Sequence, residues 1–329
     1  MQQPNYTANQ HFVSQVEQRF NALNPGATPR NQRIYSFTLV DRQSLLLSLD
    51  STRGMNISNN LAFRDLFSFD VIPDRASRYN FEAMFQQYEA VIESNTVDLL
   101  RKLDQGPSDL KKEILEIFVS KFMNFLRNPY SVRKVLGTIG GVLRFQPTDP
   151  EVLADYNAVL TGQKPHQSYL CAKLGITSQE YQGWLSALFM ALIRPGPGEL
   201  NFMENIAKQL FESPDGYSTV GVYRYGGEHA DKRCLLSDRG YSTPQDGHLS
   251  FNFNLCSTAF ITYIFASIDA LSLPRVHLSV TEWCRSQTRN VRVFPFTNDL
   301  AALERYNRSV AYQCSRSVYS SSPRVYGLA

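Results

Sequence analysis

The feature that most constrains the fold is a proline-free stretch in which mostly apolar residues recur at helical spacing. Between Pro73 and Pro107 the repeating positions are Phe81, Phe85, Tyr88, Ile92, Thr96, Leu99 and Leu103. Residues three or four apart share one face of a helix, so the pattern predicts one long amphipathic helix. Its apolar face needs other elements to pack against, so a helical core is expected around it.

The sequence that follows continues the helical pattern. A second helix is predicted from about Ser108 to Asn128, where Pro129 ends it, and its later turns are so rich in Ile and Phe that they must be buried. Further helices are predicted at 131–139, 149–160, 178–193, 199–211 and, near the end, 298–313. The middle of the chain is therefore expected to be all-helical.

Strand-forming patterns lie on both sides of the helical middle. Residues 34–40 and 44–49 predict a hairpin around the polar turn at 41–43. Beyond the Gly/Pro-rich break at 194–198, strands are predicted at 220–225, 234–237, 249–255 and 259–265.

Together these patterns predict the α+β class, with a β-rich body formed from N- and C-terminal strands and a central all-helical segment. Residues 1–72 hold the N-terminal strands, 73–213 form the helical segment, and 214–329 form a C-terminal β-rich segment with a final helix. Because strands from both ends can join one sheet, the three segments are expected to form one composite domain.

Composition narrows the class of protein further. With 33 Lys and Arg against 30 Asp and Glu in 329 residues, the net charge is +3, which indicates no strongly basic nucleic-acid-binding domain. The five cysteines are widely spaced and odd in number, which predicts reduced thiols and a cytoplasmic protein. The N-terminus also lacks the basic start and apolar run of a secretory signal.

One uncharged run, 249–268, is long enough to cross a membrane. Its polar residues argue against a membrane span, because Phe251 and Phe253 alternate with Asn252 and Asn254. This alternation predicts a strand with one buried and one exposed face. We therefore expect core strands here and no membrane partner.

Several enzyme classes lose support because their motifs are absent. The sequence has no Walker phosphate loop, no dinucleotide-binding glycine fingerprint, no His-Glu-x-x-His motif, no nucleophile elbow and no EF-hand loop. Function must be argued from individual residues and from short motifs.

A series of short motifs carries a family resemblance. It begins with His11-Phe12-Val13-Ser14-Gln15 and Ile34-Tyr35-Ser36-Phe37, continues through Asn59-Asn60, Asp65-Leu66-Phe67, Phe81-Glu82, Tyr88-Glu89 and Arg127-Asn128-Pro129, and ends with Leu236-Ser237-Asp238, Tyr306-Asn307 and Val318-Tyr319. In this order they resemble the prokaryotic family called domain of unknown function 4238, whose members begin His-Tyr-Val-Pro-Gln. Ser14 replaces the proline of that motif, and Arg239-Gly240 replaces an expected Asn-Pro. The resemblance implies little about activity, and by association it suggests a role in bacterial conflict with phages or mobile elements.

Three of the five candidate site residues lie in the earlier motifs of this series. His11 can act as a general base or metal ligand, and Gln15 can share a helical face with it; the alternative is a histidine that anchors the terminus. Glu89 lies at the edge of the apolar stripe and is expected to be partly buried. Its acidic neighbourhood either holds a divalent cation such as Mg²⁺ or Mn²⁺ and does acid–base work, or is a solvated face.

The other two candidates follow apolar elements. Arg127 ends the second helix, so it either caps the last carbonyl groups or clamps a phosphate or carboxylate. Asp238 follows a predicted strand, where active-site carboxylates often lie, although its sequence context also suits an ordinary turn.

If the five residues converge, they supply a base, two acids and an anion clamp, which suits phosphodiester cleavage. The first hypothesis is therefore a nuclease-like hydrolase acting on nucleic acid in bacterial defence, with Mg²⁺ or Mn²⁺ as an optional cofactor. The second is a non-enzymatic module that binds a protein partner or a second copy of itself. The third is a small-molecule or nucleotide sensor with a pocket between the helical segment and the β body.

Overall fold

The computed structural model describes residues 7–69, 79–106, 109–213, 216–244, 247–267 and 291–328, together with Glu282 and Ser286. The helices are α1 (Gln15–Arg19), α2 (Glu82–Gln105), α3 (Lys111–Arg127), α4 (Val132–Ile139), α5 (Pro150–Thr161), α6 (Gln167–Leu174), α7 (Ser178–Leu192), α8 (Phe202–Glu212) and α9 (Leu300–Gln313). The α+β class and the central helical segment are confirmed.

The strands lie on both sides of this segment, as predicted. They are β1 (Asn9–His11), β2 (Arg33–Asp41), β3 (Leu46–Leu49), β4 (Met55–Asn56), β5 (Ala62–Arg64), β6 (Ser68–Phe69), β7 (Tyr79–Asn80), β8 (Gly216–Arg224), β9 (Leu236–Ser237), β10 (Leu249–Cys256), β11 (Ala259–Ser267), β12 (Arg292–Thr297) and β13 (Ser317–Ser320). The predicted hairpin is the antiparallel pair β2–β3.

Helix α6 was not predicted. It is short, no side chain caps its N-terminus, and it ends at Gly175, whose backbone is left-handed with φ 66°. The long helix α2 begins at Glu82, well after Pro73. The predicted start of the second helix at Ser108 lies outside the described residues, as do Cys284, residues 72 and 73 at the first segment boundary and residue 214 at the second.

The first sheet joins strands from both ends of the chain. Its order is β3-β2-β13-β9, with β4 also paired to β2. Strand β13 lies in a serine-rich stretch near the C-terminus, but Val318 and Tyr319 within it are buried. Pairing with β2 and β9 covers their side chains, which a local polar composition cannot indicate.

The second sheet has the order β10-β11-β8-β12, and β12 is parallel to β8. One face packs on α3, where the Phe118 ring lies 5.0 Å from Tyr263 and 5.3 Å from Phe265, measured between centroids. The uncharged run at 249–268 provides the β10–β11 hairpin. Among the described helices, none is long and apolar enough to cross a membrane.

The expectation that β10 has an exposed face is wrong. Asn252 and Asn254 are 7% and 2% exposed, although they alternate with buried phenylalanines. Asn254 exchanges side-chain hydrogen bonds of 2.7 and 3.2 Å with Asn21, which follows α1. The N-terminal segment therefore covers Asn254 on the face that the alternation assigned to solvent, and Asn252 is bonded to Ser242 and Thr262.

The four described cysteines, Cys171, Cys234, Cys256 and Cys314, form no disulfide. Most are buried among apolar side chains, and burial raises the pKa of Cys314 to about 12. Such thiols are poor nucleophiles, because the reactive species is the thiolate.

Candidate functional site

Three polar side chains point from successive turns of α3 into the protein interior. Lys121, Asn124 and Arg127 are spaced three residues apart and are only 1–2% exposed. A buried cation is tolerated only where it is paired and hydrogen-bonded, so the partners of this face define the chemistry of the region.

Arg127 contacts α2 and not the end of its own helix. Its Nη1 donates to Glu89 Oε1 at 2.6 Å, while Nε and Nη2 donate to Asn124 Oδ1 at 3.1 and 2.8 Å. The guanidinium also lies 5.1 Å from the ring centroid of Phe85, one turn before Glu89. The guanidinium is thus held by side chains of the protein itself, and these contacts do not cap the last carbonyl groups of α3.

The first part of the polar face is fully paired. Glu17 of α1 forms an ion pair with Lys121 and accepts a hydrogen bond from Asn124 Nδ2. Lys121 Nζ also donates to the Asn254 carbonyl oxygen at 2.6 Å, and Ser14 Oγ donates to Glu17 at 3.0 Å. Burial opposes the charge of Glu17, but Lys121 and the hydrogen bonds outweigh it, so the pKa of Glu17 lies below its usual value.

His11 ends β1, opposite Ala62 of β5. Its Nδ1 lies 3.5 Å from Gln15 Nε2, and Gln15 Oε1 accepts a 2.7 Å hydrogen bond from Arg19. This second bond orients the amide so that its NH₂ group faces the imidazole. Nδ1 is therefore the acceptor, and the proton of the neutral ring is on Nε2.

The environment of His11 keeps the ring neutral. Burial lowers the pKa of His11, and the positive charge of Arg127 lowers it further. The backbone of Ile57 and Ser58 lies beside the ring and opposes this lowering. The contact is not a well-formed hydrogen bond of Nε2, which is buried.

Glu82 is the functional residue that the sequence analysis did not select. It begins α2 and precedes Glu89 by two turns on the same helical face. Burial raises the pKa of Glu82 to about 7, and the nearby Glu89 carboxylate reinforces this against the opposing charge of Arg127. Its Oε1 is buried and finds no hydrogen-bond partner within the described part of the chain.

These residues form one group, which we call the acid–base cluster: His11, Gln15, Glu82, Glu89 and Arg127. The charges of Arg127 and Glu89 act on both His11 and Glu82, which places both groups close to the same ion pair. Four of the five predicted site residues are thereby brought together from β1, α1, α2 and α3.

Asp238 is not part of this cluster. Its carboxylate accepts hydrogen bonds from the backbone N–H groups of Ser315, Arg316 and Ser317 at 2.7, 2.6 and 3.0 Å. The residue is 2% exposed, and burial raises its pKa against the effect of these hydrogen bonds. Asp238 therefore fixes the start of β13 beside β9, which is the turn alternative of the sequence analysis.

Metal-ligand geometry was also assessed. Within the residues described here, no three His, Cys, Asp or Glu side chains lie close enough together to hold a metal ion. In the acid–base cluster, Glu89 bonds to Arg127 and His11 Nδ1 faces Gln15, so both have protein partners in place of a metal.

Comparison with known proteins gives no match. No family model matches the chain, and neither a curated protein nor a solved structure does so. The resemblance to domain of unknown function 4238 remains a prediction from short motifs, and the function is argued below from geometry.

Proposed function

We propose that the protein is a nuclease-like hydrolase that cleaves RNA phosphodiester bonds at the acid–base cluster. The observation that carries the proposal is Glu82 Oε1, a buried carboxylate oxygen that has no hydrogen-bond partner among the described residues and that lies near the buried guanidinium of Arg127. Buried polar atoms are almost always hydrogen-bonded in proteins. An exception beside a buried cation and an imidazole indicates a place where a substrate supplies the missing partner.

Glu82 is the proton-transfer group in this proposal. With a pKa of about 7, it is present in both protonation states at neutral pH, the condition under which general acid–base catalysis is most efficient. Its carboxylate accepts the proton of the ribose 2′-hydroxyl as the O2′–P bond forms and the P–O5′ bond breaks. The protonated Glu82 then returns that proton to O5′.

The remaining residues stabilise charge and hold orientation. The Nε2–H group of His11 donates a hydrogen bond to a non-bridging phosphoryl oxygen, and the field of Arg127 opposes the negative charge that develops there. Glu89 and Gln15 position Arg127 and His11 through the contacts described above. A 2′-hydroxyl nucleophile belongs to the substrate, so this step uses no metal-bound water.

The biological setting that we propose is bacterial defence in the cytoplasm. The resemblance to domain of unknown function 4238 suggests bacterial conflict with phages or mobile elements. The unpaired described cysteines are compatible with the cytoplasmic location expected from the sequence.

The fully paired network around Glu17 and Lys121 favours a second candidate, the non-enzymatic interaction module. In that case the whole polar face of α3 is structural, and the aromatic residues elsewhere would contact a protein partner or a second copy of the chain. This candidate accounts for Glu17 and Asn124 but leaves the unpartnered oxygen of Glu82 unexplained.

The test is cleavage of total RNA and plasmid DNA by purified protein, with EDTA or with Mg²⁺ or Mn²⁺. We expect RNA cleavage in EDTA, no DNA cleavage, and a loss of about 100-fold or more in Glu82→Gln. The rate should rise with pH up to about 7 and then level off, because the Glu82 carboxylate is the base.

Glu93→Gln is the matched control, because Glu93 lies on the same helix but is exposed. It should cleave at the wild-type rate, whereas His11→Ala should be slower. Absence of RNA cleavage by folded wild-type protein would overturn the proposal in favour of the module. Cleavage that requires added metal would instead support the metal-dependent form of the first hypothesis.

A further inference from the structure

A cleft lies on the opposite side of the second sheet from α3. The sheet alternates, so that Val222 and Ile261 face the α3 core while Tyr223, Phe260 and Thr262 face α9. Between this face, α9 and the β2–β3 turn is a cleft of about 600 Å³. This volume is typical of small-molecule sites, and the cleft shares no lining residue with the acid–base cluster.

Aromatic rings form one wall of the cleft. Tyr223 stacks between Phe260 and Phe296, with 4.5 and 4.6 Å between centroids, and Phe260 stacks on Tyr306 at 4.1 Å. The faces of these rings cover one another, so the wall presents ring edges to the cleft. An added Cβ at Gly221 would lie 2.9 Å from the Tyr223 ring, so the glycine leaves room for it. Tyr312, which is 40% exposed, adds an aromatic side chain at the rim.

Among the residues that line the cleft, the charged ones are all positive. Arg305 and Arg308, one turn apart on α9, line it, and no carboxylate does. Both side chains are exposed. In the described part of the chain Arg305 has no ion pair, and Arg308 donates one long hydrogen bond of 3.4 Å to the Gly327 carbonyl oxygen. Two adjacent guanidinium groups without acidic partners suit a phosphate group, which accepts bidentate hydrogen bonds.

Neutral polar groups complete the lining. Thr262 Oγ1 donates to Asn252 Oδ1 at 2.7 Å, so the threonine oxygen keeps its acceptor capacity. The Gln43 side chain, from the β2–β3 turn, makes no hydrogen bond to another described residue. Such groups can bond the polar edge of an aromatic ring held in the cleft.

We propose that this cleft binds a mononucleotide, with its base against the exposed ring of Tyr312 and its phosphate on Arg305 and Arg308. An aromatic ring and paired positive charges on the same helix together select a ligand that carries both a planar ring and an anion. The site is separate from the acid–base cluster, and the inference does not depend on RNA cleavage.

The test is isothermal titration calorimetry of the full-length protein with AMP, GMP, CMP and UMP, and with adenosine and inorganic phosphate as single-feature probes. At least one mononucleotide should bind, and adenosine and phosphate should each bind at least tenfold more weakly than AMP, or than the tightest mononucleotide. The double variant Arg305→Ala/Arg308→Ala should weaken mononucleotide binding at least tenfold. The exposed Arg144→Ala is the matched control and should bind like wild type.

Glu82→Gln separates this site from the acid–base cluster and should leave mononucleotide binding unchanged. The proposal is overturned if none of the four mononucleotides binds to wild-type protein. It is equally overturned if binding persists in the double arginine variant or is lost in Glu82→Gln.

Discussion

Burial of Glu82 near Arg127 makes the free energy of unfolding of this protein depend on pH. Burial raises the pKa of Glu82 to about 7, above the value of 4.5 expected for an exposed glutamate. Between these values the folded state holds a proton that the unfolded state has released. The contribution of Glu82 to the free energy of unfolding therefore falls as the pH rises through this window, and it stays low above pH 7.

Glu82→Gln cannot ionise and removes this dependence. We compare the free energy of unfolding of the variant with that of wild type at each pH. We expect the difference, variant minus wild type, to be about 1–3 kcal/mol larger at pH 8 than at pH 5. Urea unfolding at the two pH values measures the difference. Glu93→Gln, on the exposed side of the same helix, should show no such change. An equal effect in both variants would show that Glu82 is not specially buried.

The ion pair between Glu17 and Lys121 makes a second prediction at the residue scale. Both side chains are 2% exposed, so Lys121→Met leaves a carboxylate buried without its cation. We expect the variant to lose about 3–5 kcal/mol in the free energy of unfolding. The double variant Glu17→Leu/Lys121→Met should recover much of this loss, since it removes both charges. Equal loss in single and double variants would contradict this account.

At the scale of elements, β13 depends on a carboxylate that follows another strand, β9. Asp238 accepts three backbone hydrogen bonds at the start of β13, and no other side chain in the described chain replaces it there. Asp238→Ala should therefore destabilise the protein by about 1–3 kcal/mol, because it leaves three partly buried N–H groups without this acceptor. RNA cleavage by the folded fraction should be unchanged. Thermal unfolding and single-turnover cleavage measure the two effects separately, and a large loss of cleavage with normal stability would return Asp238 to the site.

The elements that sequence predicts best are those with their own periodic signal. The amphipathic spacing in α2 and the β2–β3 hairpin pattern are local, so both elements can be predicted without tertiary information. Strand β13 and the short helix α6 have no such signal. Strand β13 forms because distant strands pair with it, and α6 packs against α7, the next helix along the chain.

At the scale of the whole molecule, the first sheet makes the two ends of the chain interdependent. Strand β13 lies between β2 from the N-terminal segment and β9 from the C-terminal segment. The three predicted segments should therefore unfold together. We expect hydrogen exchange, followed by mass spectrometry in increasing urea, to show β2, β13 and α3 opening with one free energy. Earlier opening of the helical segment alone would indicate separate domains.

The sequence by itself determined the α+β class, the long helices and the main strands, and it pointed to four of the residues grouped in the acid–base cluster. Those predictions depend on residue spacing and side-chain type, which are local properties. The choice of Glu82, the structural role of Asp238 and the two buried faces of β10 were decided by tertiary structure. Each depends on which groups other chain segments bring close to the residue and on how completely those segments exclude water. Burial and pairing between distant residues leave no periodic pattern in a single sequence.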